Sequence, residues 1–286
     1  MTETRESMAG TTILLTGGTS GIGRAAAVQL GERGATVLVT GRDGERGGET
    51  VREIERAGGE GAFLAADFAD FDQVRELAAR VRDRTDALDV LCHNAGVWMG
   101  ERELTAGVEY TFAVNHLAPY LLTHELVDQL APDARVVTVS SELHRRGRIN
   151  FADLTLGDGY SGVTAYAQSK LANVLFAREL ARRLPEGQTA NAVHPGVIPG
   201  SRLTRHSSTI SRLLFGSLRL VPGLTTTEEG GADPLVHLAA SPAVAGTTGA
   251  YFDRKREATP SQAARDDETA RKLWQVSAEL VGVEAD

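Results

Sequence analysis

The stretch from Thr11 to Leu30 does most to limit what this chain can fold into. An apolar run over residues 11–16 reads as a buried strand. Gly17-Gly18-Thr19-Ser20-Gly21-Ile22-Gly23 follows at once, and then a helix carrying Ala25, Val28 and Leu30. Glycines at a strand-to-helix turn let the backbone reverse sharply and approach a ligand closely. The free amides at the start of the helix favour an anion. Strand, glycine turn and helix in that order suit a dinucleotide pyrophosphate when the pattern opens a longer β/α alternation.

The alternation continues. Strands are expected over residues 35–40, 61–66, 88–92, 135–140 and 189–193. Helices are expected over 45–56, 70–84, 103–130 (bent near Pro119) and 165–183. This predicts the α/β class, with a Rossmann-type doubly wound parallel sheet flanked by helices on both faces. Later, Glu228-Glu229 opens a helix through Val236 and Leu238, and Gly249 precedes a short strand at Tyr251-Phe252-Asp253. No linker, repeat or shift in composition divides the chain. A loose tail at residues 1–9 followed by a single domain over 10–286 is therefore expected, and 286 residues with 42% hydrophobic content suffice for one sizeable core.

Charge and cysteine content exclude several functions. A net charge of -8, with no basic block interleaved with aromatics, argues against nucleic acid, and Arg145-Arg146-Gly147-Arg148 reads as a solvated loop. Cys92 is the single cysteine, so no intramolecular disulfide or thiolate cluster can form, and it reads as a small core residue. His93, His116 and His144 sit on different elements without ligand spacing, so no metal site is expected. No Gly-x-Ser-x-Gly elbow surrounds Ser141, which argues against a hydrolase. The polar first residues and the lack of a membrane-length apolar run point to a cytoplasmic protein without stable membrane insertion.

Tyr166 and Lys170 stand four apart on the helix expected over 165–183, and so share a face. An ammonium held near a phenol favours the phenolate and brings proton exchange nearer neutrality, which suits carbonyl chemistry. Tyr251 and Lys255 share the spacing but lie on an expected strand, which would separate them too far for contact. In an open parallel sheet ligands bind at the carboxyl ends of the strands. Arg42, Asp67, Asn94, Ser141 and Pro195-Gly196 all fall there.

From Thr16 to about Asp253 the chain resembles the short-chain dehydrogenase/reductases. Thr16-Gly17-x-x-x-Gly21-Ile22-Gly23 resembles the family's cofactor turn, and Asn94-Ala95-Gly96 its sheet-stabilising motif. Asn115, Ser141, Tyr166 and Lys170 resemble its catalytic tetrad. Val136 to His144 and Ser169 to Phe176 are similar to the retinol-dehydrogenase and WW-domain-oxidoreductase branch, without a WW domain. Two places depart from the pattern. His93 replaces an Asn that a strand end should tolerate losing, and residues 199–203 run one residue longer than the branch pattern.

The resemblance implies hydride transfer between a nicotinamide and a carbonyl or alcohol. Tyr166 would be acid and base, and Ser141 would hydrogen-bond the carbonyl oxygen. Lys170 would hold the phenolate and ribose, and Asn115 would anchor a water chain. Cofactor contacts are expected from Gly17, Thr19, Ser20, Gly21, Ile22, Gly23, Arg42, Asp67, Phe68, Asn94, Ala95, Gly96, Tyr166, Lys170, Pro195, Gly196 and Val197, with Ser201 in place of a threonine near the nicotinamide amide. Arg42 after the second strand favours NADP(H) over NAD(H), Arg24 is a further candidate, and Asp43 reads as a helix cap.

The segment at about 197–226 corresponds to the family's substrate lid. Its apolar stretch 210–221 suggests a lipophilic or aromatic carbonyl substrate, while a packed surface helix and a membrane-surface contact remain open readings. A redox-neutral epimerase or dehydratase and a non-catalytic NADP-binding regulator also remain alternatives. Homodimer and monomer are both open. The family commonly pairs through the helices carrying Asn115 and Tyr166, a surface that the residues between Ser141 and Tyr166 could cover.

Overall fold

Side-chain alternation along β1 (Thr12–Leu15) separates two apolar layers. Leu14, with Leu38, Leu91 and Val136 from neighbouring strands, belongs to one layer, while Ile13 and Leu15, with Val37, Val39, Val90 and Cys92, belong to the other. The structure is a computed structural model describing residues 6–198 and 225–285. Its remaining strands are β2 (Thr36–Gly41), β3 (Glu60–Ala65), β4 (Leu88–His93), β5 (Leu104–Thr105), β6 (Val108–Glu109), β7 (Leu130–Val139), β8 (Thr189–His194), β9 (Tyr251–Asp253) and β10 (Arg256–Ala258).

Eight of these strands form one sheet in the order β3-β2-β1-β4-β7-β8-β9-β10, parallel throughout except for the β9–β10 edge. Chain order reverses between β1 and β4, which opens a crevice at their carboxyl ends. The Ile13 layer is covered by α1 (Gly21–Gly31), α2 (Gly44–Arg56) and α7 (Glu228–Ala240). The Leu14 layer is covered by α3 (Phe71–Arg82), α5 (Ala118–Leu126), α6 (Gly162–Arg183) and α8 (Asp267–Val281). The expected doubly wound parallel sheet is therefore present.

Local chemistry sets the helix ends. The side chains of Asp43, Asp70 and Asp266 accept amide hydrogens in the first turns of α2, α3 and α8, and Gly282 closes α8 with φ at 73°. Each acidic cap contributes about 1 kcal/mol. By contrast, α1 starts at Ser20 with no side-chain cap and no acid in its first turn.

The long helix expected over 103–130 is shorter and interrupted. A β5–β6 hairpin precedes it, turning through Ala106 and Gly107, both with positive φ. A single helical turn, α4 (Tyr110–Phe112), then leads into a π turn over Ala113–Leu117, where the Ala118 amide donates to the Ala113 carbonyl. Pro119 has no N–H for the carbonyl four residues earlier, that of Asn115, so the ladder slips beside the proline. Of the tail expected at residues 1–9, residues 1–5 lie outside the described residues, and Met8 is buried and donates from its amide to Arg33 O at 2.7 Å.

The surface of the helices carrying Asn115 and Tyr166 is covered chiefly by α8. Trp274 stacks on Phe176 at 5.9 Å and meets Tyr120 edge-on at 4.8 Å. His116 Nε2 and Ser277 Oγ lie 2.9 Å apart, and Arg178 and Arg182 both reach Asp267. Ile149, Phe151 and Leu154 from the segment before α6 pack at the edge of this layer. No described helix is long and apolar enough to cross a membrane.

His93 and His116 are each held neutral by burial, which brings both down to about 3. Between an ordinary histidine value and that level, the unfolded chain takes up protons that the folded chain refuses. Stability is therefore highest above the ordinary histidine range and falls as pH drops through it. Each residue contributes a slope of up to about 1.4 kcal/mol per pH unit. Urea midpoints measured from pH 7 to pH 4.5 should fall, and the fall should be shallower in His93→Asn and His116→Gln.

Candidate active site

The crevice is a cavity of about 740 Å³ running from the β1–α1 turn to the end of β7. Its floor is fixed where β1 and β4 part. Asn94 Nδ2 donates to Thr16 O at 2.9 Å and to Gly17 O at 3.2 Å, and the Asn94 and Ala95 amides both donate to Thr16 Oγ1 at 3.0 Å. Gly17 has φ at 68°, and a Cβ there would lie 2.8 Å from Ala95 Cα; at Gly23 it would lie 2.3 Å from Gly17 O. The turn thus requires glycine at both positions, and it presents the uncapped start of α1 to the cavity. Thr19, Ser20, Gly21, Ile22, Ala95 and Gly96 line the same end.

At the outer end, Arg42 stands beside Asp67, with Nη1 to Oδ2 at 3.4 Å, and Phe68 lies next to them. Asp43 is engaged elsewhere, accepting from the Arg46 amide at 3.1 Å and from Arg46 Nε at 2.6 Å. It caps α2 as expected and does not line the cavity, whereas Arg46, which sequence reasoning passed over, does. Arg24 does not reach the cavity. Glu53 holds its guanidinium through two hydrogen bonds at 2.8 and 2.5 Å, tying α1 to α2.

The inner end gathers Ser141, Tyr166 and Lys170. Ser141 caps a 3-10 turn over Glu142–Arg146, its Oγ accepting from the Leu143 amide at 3.3 Å. Tyr166 and Lys170 project from α6, which is buried along most of its length. Burial pushes the Tyr166 phenol well above its ordinary value, while a hydrogen bond with Ser141 works the other way. Burial brings the Lys170 ammonium down to about 7.

The expected phenol–ammonium contact differs from this arrangement. Lys170 Nζ lies 5.5 Å from the centroid of the Tyr166 ring and donates to Val139 O at 3.1 Å, a carbonyl it shares with Asn173 Nδ2. Desolvation is the leading cause in both groups, and each shift is toward the neutral form.

Asn115 sits in the π turn with its amide spent on protein groups. Oδ1 accepts from Val97 N at 2.7 Å, and Nδ2 donates to Val97 O and Ser169 Oγ, each at 3.0 Å. Its side chain thus clamps the loop after β4. Pro195, Gly196 and Val197 line the cavity after β8, while Ser201 and most of the expected lid lie outside the described residues.

Several neighbours were not legible beforehand. Trp98 stacks on Tyr166. His144 is buried behind Ser141, with Nδ1 2.8 Å from Ser141 O and Nε2 accepting from the Ser261 amide at 3.1 Å. Those two bonds require the neutral ring with its hydrogen on Nδ1. Arg145 and Arg146, read as a solvated loop, line the cavity mouth, with Arg145 paired to Glu142 at 2.6 Å. His93 Nε2 lies 2.7 Å from Thr123 Oγ1, a partner that explains how the strand end accepts it. Among the described residues no cluster of His, Cys, Asp or Glu could hold a metal ion.

Comparison with known proteins gives a consistent picture. Residues 11–209 match the family described as short chain dehydrogenase. A Streptomyces protein described as a candidate daunorubicin C-13 ketoreductase is 43% identical over 277 residues, covering 96% of this chain and 93% of its own. Human retinol dehydrogenase 13 is 38% identical, covering 96% and 86% respectively. A crystal structure of an uncharacterised protein from Mycobacterium paratuberculosis superposes with a TM-score of 0.80 at 31% identity, covering 99% of this chain and 97% of that one. The Pseudomonas aeruginosa RhlG/NADP complex superposes with a TM-score of 0.70 at 29% identity, covering 86% and 95%.

Gly23→Ala tests the tightness of the turn. The added methyl meets Gly17 O and Asn94 Nδ2 at once, so the bridge between β1 and β4 must yield. A loss of about 1–3 kcal/mol is expected, read as a lower urea midpoint with an unchanged slope.

Proposed function

The chain belongs to the short-chain dehydrogenase family of oxidoreductases, and from that premise we propose that it is an NADP(H)-dependent enzyme interconverting a lipophilic or aromatic carbonyl and its alcohol. The observation that carries the reading is the convergence of Ser141, Tyr166 and Lys170 at one end of a cavity whose other end holds the glycine turn and Arg42. The residues fit such a cofactor. The glycine turn packs against Ala95, Asn94 and its own backbone too closely for a Cβ at Gly17 or Gly23, which holds the turn beside the cavity, and the uncapped start of α1 offers amides to a pyrophosphate.

Preference for the 2′-phosphate form rests on charge. Arg42 and Arg46 line the outer end, while Asp43, the first carboxylate after β2, is bound to Arg46 and absent from the lining. When bound, the nicotinamide supplies or accepts the hydride. The protein's part is proton handling and orientation.

Tyr166 is protonated at neutral pH because burial disfavours its charge, so it serves as the acid that gives a proton to the carbonyl oxygen during reduction. Ser141, hydrogen-bonded to that phenol, donates to the oxygen as negative charge builds on it. Lys170, with a value near neutrality, can take up positive charge beside the phenolate that remains. Asn115 sets the loop carrying Val97 against this group.

Val97, Trp98, Leu143, Val163 and Ile198 give the cavity apolar lining, with Trp98 against Tyr166, which suits an apolar substrate. The names of two relatives, a ketoreductase and a retinol dehydrogenase, agree with carbonyl or alcohol chemistry.

The direct test is NADPH consumption with a panel of lipophilic ketones, quinones and aldehydes. Tyr166→Phe should lower turnover about 10²–10⁴-fold while still binding NADPH, and turnover that survives it would sink the acid assignment. Arg42→Ala should weaken NADPH about 10-fold or more and leave NADH nearly unchanged, as loss of a charge-assisted phosphate contact requires. Equal weakening of both nucleotides would remove the basis for NADP preference.

A further inference from the structure

We propose that Trp98 is a positioning residue for the Tyr166 phenol, its indole closing one face of the ring so that the hydroxyl stays beside Ser141. The two rings lie 4.7 Å apart at an interplanar angle of 7°, and both side chains are buried. That arrangement falls in the favoured range for offset aromatic stacking. With the indole in place, the phenol cannot swing about its Cα–Cβ bond toward that side without a clash.

Independent features present the indole. Asn115 grips the Val97 peptide from both sides, through its amide nitrogen and its carbonyl, which fixes the backbone immediately before Trp98. The same Asn115 amide donates to Ser169 Oγ, which in turn donates to Tyr166 O at 2.8 Å. Indole and phenol are thereby referenced to one side chain. At the start of α6, a Cβ on Gly162 would lie 2.1 Å from Met99 O and 3.1 Å from Trp98 Nε1. The helix carrying Tyr166 therefore begins with the residue that lets the Trp98 loop pass closely.

This role rests on the reading of Tyr166 as proton donor, so the test includes a readout that does not need turnover. The chain has five tyrosines. With ring-13C tyrosine incorporated, the Tyr166 resonance is the one lost in Tyr166→Phe, and the ring current of an indole stacked on it displaces that signal upfield. Wild type, Trp98→Phe and Trp98→Leu are compared by this spectrum, by NADPH titration and by carbonyl reduction.

Trp98→Phe should keep the displaced resonance and turn over within about 3-fold of wild type. Trp98→Leu should return the signal to an ordinary tyrosine position and lower kcat about 30-fold or more, a larger factor than any change in carbonyl KM, with NADPH affinity nearly unchanged. A Tyr166 signal that Trp98→Leu leaves in place overturns the proposal. So does a kcat loss matched by the loss of folded protein, or one that Trp98→Phe fails to restore. If wild type itself reduces no carbonyl, the proposed function fails, and the resonance alone decides whether Trp98 holds the phenol.

Discussion

The structure depends on one polar bridge at the point where two strands part. Beyond Leu15 and Cys92 the pairing of β1 with β4 ends, and Asn94 spans the gap by donating to the carbonyls of Thr16 and Gly17. Without it two backbone acceptors would be left at the edge of a buried sheet, at a cost of about 1–3 kcal/mol each. Because the bridge is a side chain, the backbone on either side is free to diverge. Gly17 turns into α1, and Gly96 leads to Val97 and the Asn115 clamp, so the crevice and its two working ends follow from the same amide.

Burial rather than charge pairing governs the inner end. Helix α6 is buried along most of its length, packed by the sheet on one side and by α8 on another. Its polar side chains therefore bond to backbone. Lys170 and Asn173 share Val139 O, and Ser140 Oγ donates to Lys170 O at 2.7 Å. These bonds lock the helix to the end of β7, the strand that delivers Ser141. The register between Ser141 and Tyr166 is thus set by contacts one turn away from those two side chains.

What the sequence made legible is what short-range pattern carries. The glycine turn, the β/α alternation and the Tyr166–Lys170 spacing are periodic or contiguous, and Asp43 and Glu228 announce helix starts by position. What stayed hidden depends on partners far along the chain. Arg24 turns to Glu53, 29 residues on, and His144 meets Ser261, 117 residues on. The apolar and helix-forming residues over 103–130 gave no sign that a two-residue turn with positive φ would insert a hairpin. The Trp98 stack was invisible for the same reason, since nothing local to Gly96-Val97-Trp98 indicates which ring it will meet.

The values of Tyr166 and Lys170 move in opposite directions on the pH scale, yet both moves favour the uncharged form. A site built on a standing phenolate–ammonium pair would bear the desolvation of two charges at all times, several kcal/mol per ion before any attraction offsets it. Here burial keeps Tyr166 protonated and brings Lys170 down to about 7, so no standing ion pair is built, and Val139 O gives Lys170 a partner that suits either of its protonation states. On the proposed function, negative charge appears in this pocket only when the phenol yields its proton. At that moment a lysine poised near neutrality gains a reason to be protonated, because the negative charge lies in the same dry pocket, where attraction is strongest. On that reading, part of the cost of charge separation falls on the proton-transfer step and not on the folded ground state, so that burial serves both stability and chemistry in one helix.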